Sequence, residues 1–441
     1  MPTAPIAVVG GGWSGLAAAL ALSDAGERVA LFEAAPQLGG RARRVEFSLG
    51  ERPYPLDNGQ HLLIGAYRDT LALMQRVGVD PQQAFLRQPF ALRYPDGFRL
   101  QATRAPAPLH LAGALLLSRG LTVAARVAMA RAVQRWQRGG WHASHHESAI
   151  NLMHALPRVV VDRIWQPLCV AALNVRLEEA SAAVFLTVLR DSLGASRADS
   201  DLLLPRTDLS ALLPDAAGAA LQANGVAVRL RCAVEQITAD GRGWSLVTRQ
   251  GACPASRVVL ALPPWRAAPL LASAQYSALD SAIGLLQDIR TAPIATVYLR
   301  YPTGQRLPFP AMALVEDPAR GAFGQWAFDR GALDTRCDGL VSVVVSATGA
   351  HDALTQDALA SAVAAQLSAA LPLPPPQASQ VIVEKRATIV PAPGLQRPPA
   401  TLPVTGLYLA GDAADSAYPS TIEGSVRSGL AAARALLAAA R

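Results

Sequence analysis

Four consecutive apolar residues, Ile6 to Val9, run straight into glycine, and their lack of alternation predicts a strand covered on both faces. An alanine-rich apolar stretch from Leu16 to Ala25, closed by Gly26, predicts a helix, and Val29 to Phe32 predicts a second buried strand. Helical spacing of apolar positions returns at Ala72–Val77, Ala124–Trp136 and Ala182–Leu193, with a further helix around Ile150–Leu156. Val226 to Ile237 alternates and predicts one strand, and Trp244–Thr248 predicts another. Arg257 to Leu260 predicts a third, halted by Pro263 and Pro264, which a strand interior does not tolerate. Strands are expected at Ala295–Tyr301 and Leu340–Ala347, a helix at Gln356–Leu371, a rigid linker at Pro372–Pro376, a short strand from Leu407 and a closing helix to Ala440.

The chain has 441 residues, enough for two or three structural units. Half of it is hydrophobic (51%), 17% is charged, and the mean hydropathy is +0.23, which excludes disorder as a description of the whole. No stretch supplies the roughly 20 uncharged apolar residues of a bilayer crossing. Met1 leads directly into the first strand without the signature of a signal peptide, so the expected location is the cytoplasm. The four cysteines are far apart, which argues for reduced core residues rather than zinc or a redox dithiol. The net charge of +7 is carried by dispersed arginine, with Lys385 the sole lysine, and this is no nucleic-acid footprint. Trp141-His142-Ala143-Ser144-His145-His146 has none of the usual zinc spacings, so no metal is expected. Leu109 to Val133 mixes leucines and valines with arginines. It reads either as a core-facing helix or as a segment lying in an anionic membrane interface, a peripheral contact with the inner membrane.

The densest chemistry lies at the first turn. Gly10-Gly11-Gly12-Trp13-Ser14-Gly15 follows the first strand, opens the first helix, and precedes Glu33 at the end of the second strand, a complete βαβ half-unit. Gly10 permits the tight turn, Gly12 lets backbone approach a pyrophosphate, and Gly15 allows close packing. Trp13 and Ser14 lie in this turn, and the start of the helix that follows offers N–H groups and positive dipole to phosphates. Glu33 stands where an acid accepts ribose hydroxyls. On these residues alone the nucleotide is NAD or FAD.

Leu38-Gly39-Gly40-Arg41-Ala42-Arg43 resembles the second glycine-arginine motif of the FAD-dependent amine oxidase and phytoene desaturase superfamily, with Gln37 and Arg44 departing from its commonest forms. The resemblance implies FAD, with Gly40 and Arg41 beside the pyrophosphate and ribityl chain. It implies that Gly411-Asp412 binds a ribitol hydroxyl and that Thr421 and Ile422 begin a helix aimed at the flavin. It also implies that the backbone of Val234 meets adenine. The implied fold is α/β: a Rossmann-like FAD-binding domain from about 1–65, 205–265 and 395–441, and an inserted α+β substrate domain from 66–204 and 266–394. No second G-x-G-x-x-G follows a strand, so a dedicated NAD(P) domain is not expected.

Asp57 to Tyr67, Trp165 to Asn174, Ala180-Ser181-Ala182, Leu202 to Arg206 and Glu384 to Thr388 look like the narrower family of squalene-associated FAD-dependent desaturases, the hydroxysqualene dehydroxylases of bacterial squalene and hopanoid synthesis. This resemblance spans nearly the whole chain. It implies loss of an allylic hydroxyl from a long-chain isoprenoid and its replacement by hydride from reduced FAD, with an external electron donor such as NADPH. Such chemistry needs a dry apolar tunnel and one acid. His61 ranks first for that acid, because the resemblance implies that the Asp57-x-Gly59 turn, with Gly59 and Gln60 on the cofactor, leads the chain past the flavin into the substrate cavity. Glu423 ranks second, and Tyr418 and Asp57 are further candidates. Lys385 has no assignable place. The alternatives are a carotenoid-type desaturase or other isoprenoid oxidoreductase and, less favoured, a non-catalytic isoprenoid escort.

Overall fold

Ile6–Val9 is the hub of a parallel sheet in the computed structural model, which describes residues 4–50, 52–241 and 243–439. The strand is buried throughout and pairs with Val29–Phe32 on one side and Arg257–Leu260 on the other, Val9 lying opposite both Phe32 and Leu260. Ala227–Arg229 and Leu407–Leu409 extend the two flanks to make five strands. Because all run the same way, their C-terminal ends gather Gly10, Glu33, Ala261 and Gly411 along one rim, where α/β sheets bind ligands.

Both faces of this sheet are covered, which is why its strands do not alternate. Helices Trp13–Asp24 and Ile422–Ala438 pack on one face through Leu16, Leu20, Val426 and Leu436. They approach so closely at a glycine that a Cβ on Gly429 would lie 2.0 Å from the Ser14 carbonyl oxygen. The other face meets the antiparallel strands Val234–Ala239, Trp244–Thr248 and Gly251–Ala255 and helix Pro264–Ala272.

A second five-stranded sheet is antiparallel, in the order Ala311–Ala313, Trp326–Asp329, Leu340–Ser346, Thr291–Arg300, Ala378–Ile389. Alternation along it has a direct consequence: Val341, Val343 and Val345 join the cluster under helix Gln356–Ala370, while Val344 and Ser346 face a cavity. Across that cavity lies a helical layer containing Leu109–Leu116, Val123–Arg138, Gln166–Leu173 and Ala182–Leu193. It is built around Trp165, whose ring meets Trp136 at 5.1 Å and Phe185 at 6.5 Å edge-on.

Three expectations shift. Val226–Ile237 is not one strand: Ala227–Arg229 ends on the parallel sheet, Arg231 turns at φ 53°, and Val234–Ala239 begins a different sheet. The Ile150–Leu156 helix is a short 3-10 turn, Ala149–Met153. The first helix begins at Trp13, three residues earlier than its apolar run.

Candidate active site

A cavity of about 540 Å³ follows the rim of the parallel sheet and continues between the antiparallel sheet and the helical layer. Its first half is built from glycine. Gly10 has φ +109°, and a Cβ there would sit 2.3 Å from the Ala261 carbonyl oxygen; one on Gly15 would lie 1.9 Å from the Gly10 carbonyl oxygen. Gly15 therefore packs behind the turn, whereas Gly10, Gly12, Trp13 and Ser14 line the cavity. The second glycine motif is bonded onto the first: Gly39 N–H donates to Gly11 O at 2.8 Å, and Gly12 bridges Gly39. The nearest atom to a Cβ on Gly12 would be Gly40 Cα, 3.8 Å away.

Helix Trp13–Asp24 starts at Gly12 with no side chain capping it, so its first N–H groups are left for a ligand. Glu33 holds the loop by accepting from Gly11 N–H at 2.6 Å and Ala35 N–H at 2.7 Å, and its carboxylate also faces the cavity. Arg41 pairs with Asp412 and donates to Ala387 O at 2.8 Å. Gly411, at φ +78°, is fixed by its N–H bond to Ser428 Oγ at 2.9 Å. Thr421 Oγ accepts from Gly424 N–H at 3.0 Å and caps helix Ile422–Ala438, whose start, with Ile422, also lines the cavity. Uncapped N–H groups, facing glycine backbones and an acid in ribose position fit a flavin dinucleotide.

The segment Asn58–Ile64 carries the wall from this half toward the apolar one. Gln60 is anchored beneath it: its N–H donates to Thr296 Oγ at 3.1 Å, and its Oε1 accepts from Ser342 Oγ at 2.9 Å and Arg330 Nη1 at 3.2 Å. Its Nε2 donates to His61 O at 3.0 Å. Every polar group of the Gln60 side chain is thus engaged in the floor, so its part is to place its neighbours. Gly59, just before Gln60, presents its carbonyl to His61 Nδ1 at 2.7 Å. That bond puts the proton on Nδ1 and leaves Nε2 free, and burial holds the imidazole below its usual pKa. Arg330, Thr296 and Ser342 escaped sequence reading, since their partners are more than 200 residues away and no local pattern marks them.

Other candidates lie elsewhere. Glu423 is fully buried and turned away: it accepts from Asp69 N–H, Thr70 N–H and Thr70 Oγ at 3.2, 2.9 and 2.7 Å, and from Arg427 Nε at 2.8 Å. Its carboxylate serves the positive end of helix Arg68–Arg76, and it is not among the cavity-lining residues, which corrects its reading as an acid facing substrate. Asp57 is also outside the cavity, 2% exposed, accepting from Leu209 N–H at 2.7 Å; burial pushes its carboxyl up to about 7 against the pull of Arg330. Val234 opens an antiparallel strand and does not line the cavity. Lys385 is exposed on a bulge of strand Ala378–Ile389 and is not a lining residue. Tyr418 does line it, with its hydroxyl on Asp191, whose other partners are Arg190 and Arg427.

The second half of the cavity is apolar, walled by Phe90, Leu168, Phe185, Leu189, Trp326 and Phe328. Asn174 joins its two sides. It ends helix Gln166–Leu173 in the left-handed region at φ 56°, donates to Thr388 Oγ at 2.9 Å and Pro293 O at 3.1 Å, and accepts from Ala347 N–H at 2.7 Å. No group of side chains suited to a metal ion occurs among the described residues.

Comparison with known proteins agrees with this geometry. Residues 13–437 match the family of flavin containing amine oxidoreductases. The chain is 30% identical to hydroxysqualene dehydroxylase of Rhodopseudomonas palustris over 98% of both proteins, and 25% identical to that of Zymomonas mobilis over 97% of both. An oxidoreductase from Methanosarcina mazei shares the fold with a TM-score of 0.74 at 16% identity, covering 97% of this chain and 99% of that one. The chain belongs to the flavin containing amine oxidoreductase family, as an FAD-dependent oxidoreductase whose full-length relatives include the hydroxysqualene dehydroxylases.

Proposed function

We propose that the protein reduces hydroxysqualene to squalene. The observation that carries this reading is the continuity of the cavity, in which a glycine-lined dinucleotide crevice shares one space with a chamber of leucine, phenylalanine and tryptophan. Such a chamber suits a hydrocarbon chain, and it excludes the water that would otherwise capture an allylic cation. When bound, a reduced flavin supplies the hydride that takes the place of the hydroxyl. The substrate's C–O bond breaks, a C–H bond forms, and the hydroxyl leaves as water after accepting one proton; two electrons come ultimately from an external donor such as NADPH.

The protein's own share is position and the proton. Glu33, Gly12 and the start of helix Trp13–Asp24 hold the dinucleotide, while Arg41 and Asp412 fix the loops beside it. His61 supplies the proton from Nε2 as imidazolium, its Nδ1–H remaining on the Gly59 carbonyl. The lowered pKa makes the protonated form scarce at neutral pH but a strong donor once formed. In this reading the product feeds bacterial hopanoid synthesis.

The test is to reduce the protein anaerobically, add hydroxysqualene, and follow flavin reoxidation and squalene together. The two are expected to appear at one rate. Absence of reoxidation, or reduction of the oxidised protein by a carotene precursor, would move the assignment to a desaturase. A colourless protein unable to bind FAD would make it an escort.

A further inference from the structure

Leu109, Leu116, Leu117 and Val123 are the four most exposed large apolar side chains among the described residues, at 59%, 69%, 64% and 73%, with Val127 beside them at 42%. They are not a core face left uncovered. Helix Val123–Arg138 already spends an inward stripe, Ala125, Met129, Ala132 and Trp136, on the helical layer, and helix Leu109–Leu116 buries His110 and Ala114. The exposed set is a second apolar surface on the opposite side. Arg126 makes it one tip, donating from Nη2 to Ser118 O at 2.7 Å and from Nε to Ser118 Oγ at 3.1 Å, which holds the Leu116–Leu117 end against the start of the next helix.

The segment that carries the tip has charge of one sign. Between Gly97 and His146 the sequence has seven arginines and no aspartate or glutamate. Arg104, Arg119, Arg131, Arg135 and Arg138 are exposed and have no carboxylate partner among the described residues. Leu111, Leu115 and Val133, on the inner side, pack on the same hydrophobic body that contains Phe185 and Leu202 of the cavity wall.

We propose that this tip docks on a bilayer surface bearing anionic phospholipid. Leucine and valine side chains at a vertex enter the acyl boundary, while the ring of guanidinium groups meets lipid phosphates. No helix is long and apolar enough to cross a membrane among the described residues, so the contact lies in the interface. A second copy of the chain is a poor occupant, because it would set arginine against arginine. The proposal stands on this surface alone and does not depend on the reaction catalysed.

The test is flotation of the flavin-loaded protein with vesicles of phosphatidylcholine alone or mixed with phosphatidylglycerol. Binding to the anionic vesicles is expected to exceed binding to the neutral ones by about tenfold or more and to fall with salt. Leu116→Glu/Leu117→Glu is expected to lose about a hundredfold on both vesicles. Arg131→Glu/Arg135→Glu should lose only the anionic preference. These side chains are exposed, so flavin content should be unchanged, and protection of Arg119–Arg138 from trypsin by anionic vesicles reads the same contact in the unaltered protein. Absence of flotation at low salt, variants that float like the parent, or a leucine variant whose sole effect is to dissociate a dimer would each overturn the proposal.

Discussion

The guanidinium of Arg41 rests on the carboxylate of Asp412 although 371 residues separate them. Arg41 comes from the loop after the second strand of the parallel sheet and Asp412 from the loop after its outermost strand, so the pair closes the dinucleotide crevice from both ends of the chain. Arg41→Ala leaves Asp412, 5% exposed in its side chain, without that partner. The expected cost is about 1–3 kcal/mol of stability, together with faster loss of flavin. Thermal unfolding and flavin fluorescence after dilution measure both, and Arg41→Lys should recover only part, since one ammonium cannot serve Asp412 and the Ala387 carbonyl in the same geometry.

His61 carries a pH signature. If its imidazolium delivers the proton, turnover at saturating substrate rises as pH falls and levels off below the usual histidine value, because burial has moved the group down. His61→Gln should lower turnover by roughly 10²–10⁴-fold and flatten that limb while leaving flavin binding intact. A profile that keeps its shape in the variant would take His61 out of the proton transfer.

Glu423→Gln separates structure from chemistry at one position. The amide can still accept from Thr70 but loses the charge that faces Arg427 and the start of helix Arg68–Arg76. A drop in melting temperature is expected, with turnover per bound flavin unchanged.

Asn174 should behave as a joint. Asn174→Ala removes bonds to Thr388, Pro293 and Ala347 and places alanine at φ 56°, for about 2–4 kcal/mol in all. Asn174→Gly relieves the backbone but not the bonds, so denaturant midpoints should rank the parent first, glycine second and alanine last.

Asp57 gives a stability signature of opposite sense to a surface carboxylate. Its pKa rises from 3.8 to about 7 on folding, so the folded state binds more protons between those values and loses stability as pH rises through them. Asp57→Asn should remove that loss. Melting temperatures between pH 4 and pH 8 compare the two slopes, and parallel curves would show that Asp57 is not the source.

What the sequence disclosed depended on how local the cause was. Gly10, Gly12, Gly15 and Glu33 lie within one strand–helix–strand unit, so their spacing alone placed Gly10, Gly12 and Glu33 on the crevice and Gly15 behind its turn. The Val226–Ile237 alternation hid a change of sheet, because polar and apolar positions keep their period while Arg231 swings the backbone around. Its place at the start of the last helix made Glu423 the second candidate acid. Only tertiary packing decides that it serves a neighbouring helix instead. Arg330 left no trace at all: its neighbour Gln60 is 270 residues earlier.

The parallel sheet also imposes an order in time. Its hub strand, Ile6–Val9, leaves the ribosome before the other four, yet its neighbour Arg257–Leu260 has an open edge until Leu407–Leu409 follows. At about 5–20 residues per second, the chain from Ile6–Val9 to Leu407–Leu409 takes roughly 20–80 s to make. Throughout that time the glycine turn exists without Asp412, without the Thr421-capped helix and without the Gly429 contact that seats the first helix. Flavin capture therefore waits for the segment from Asp412 to Gly429, and a colour change marks the closing of the crevice rather than the folding of its first turn.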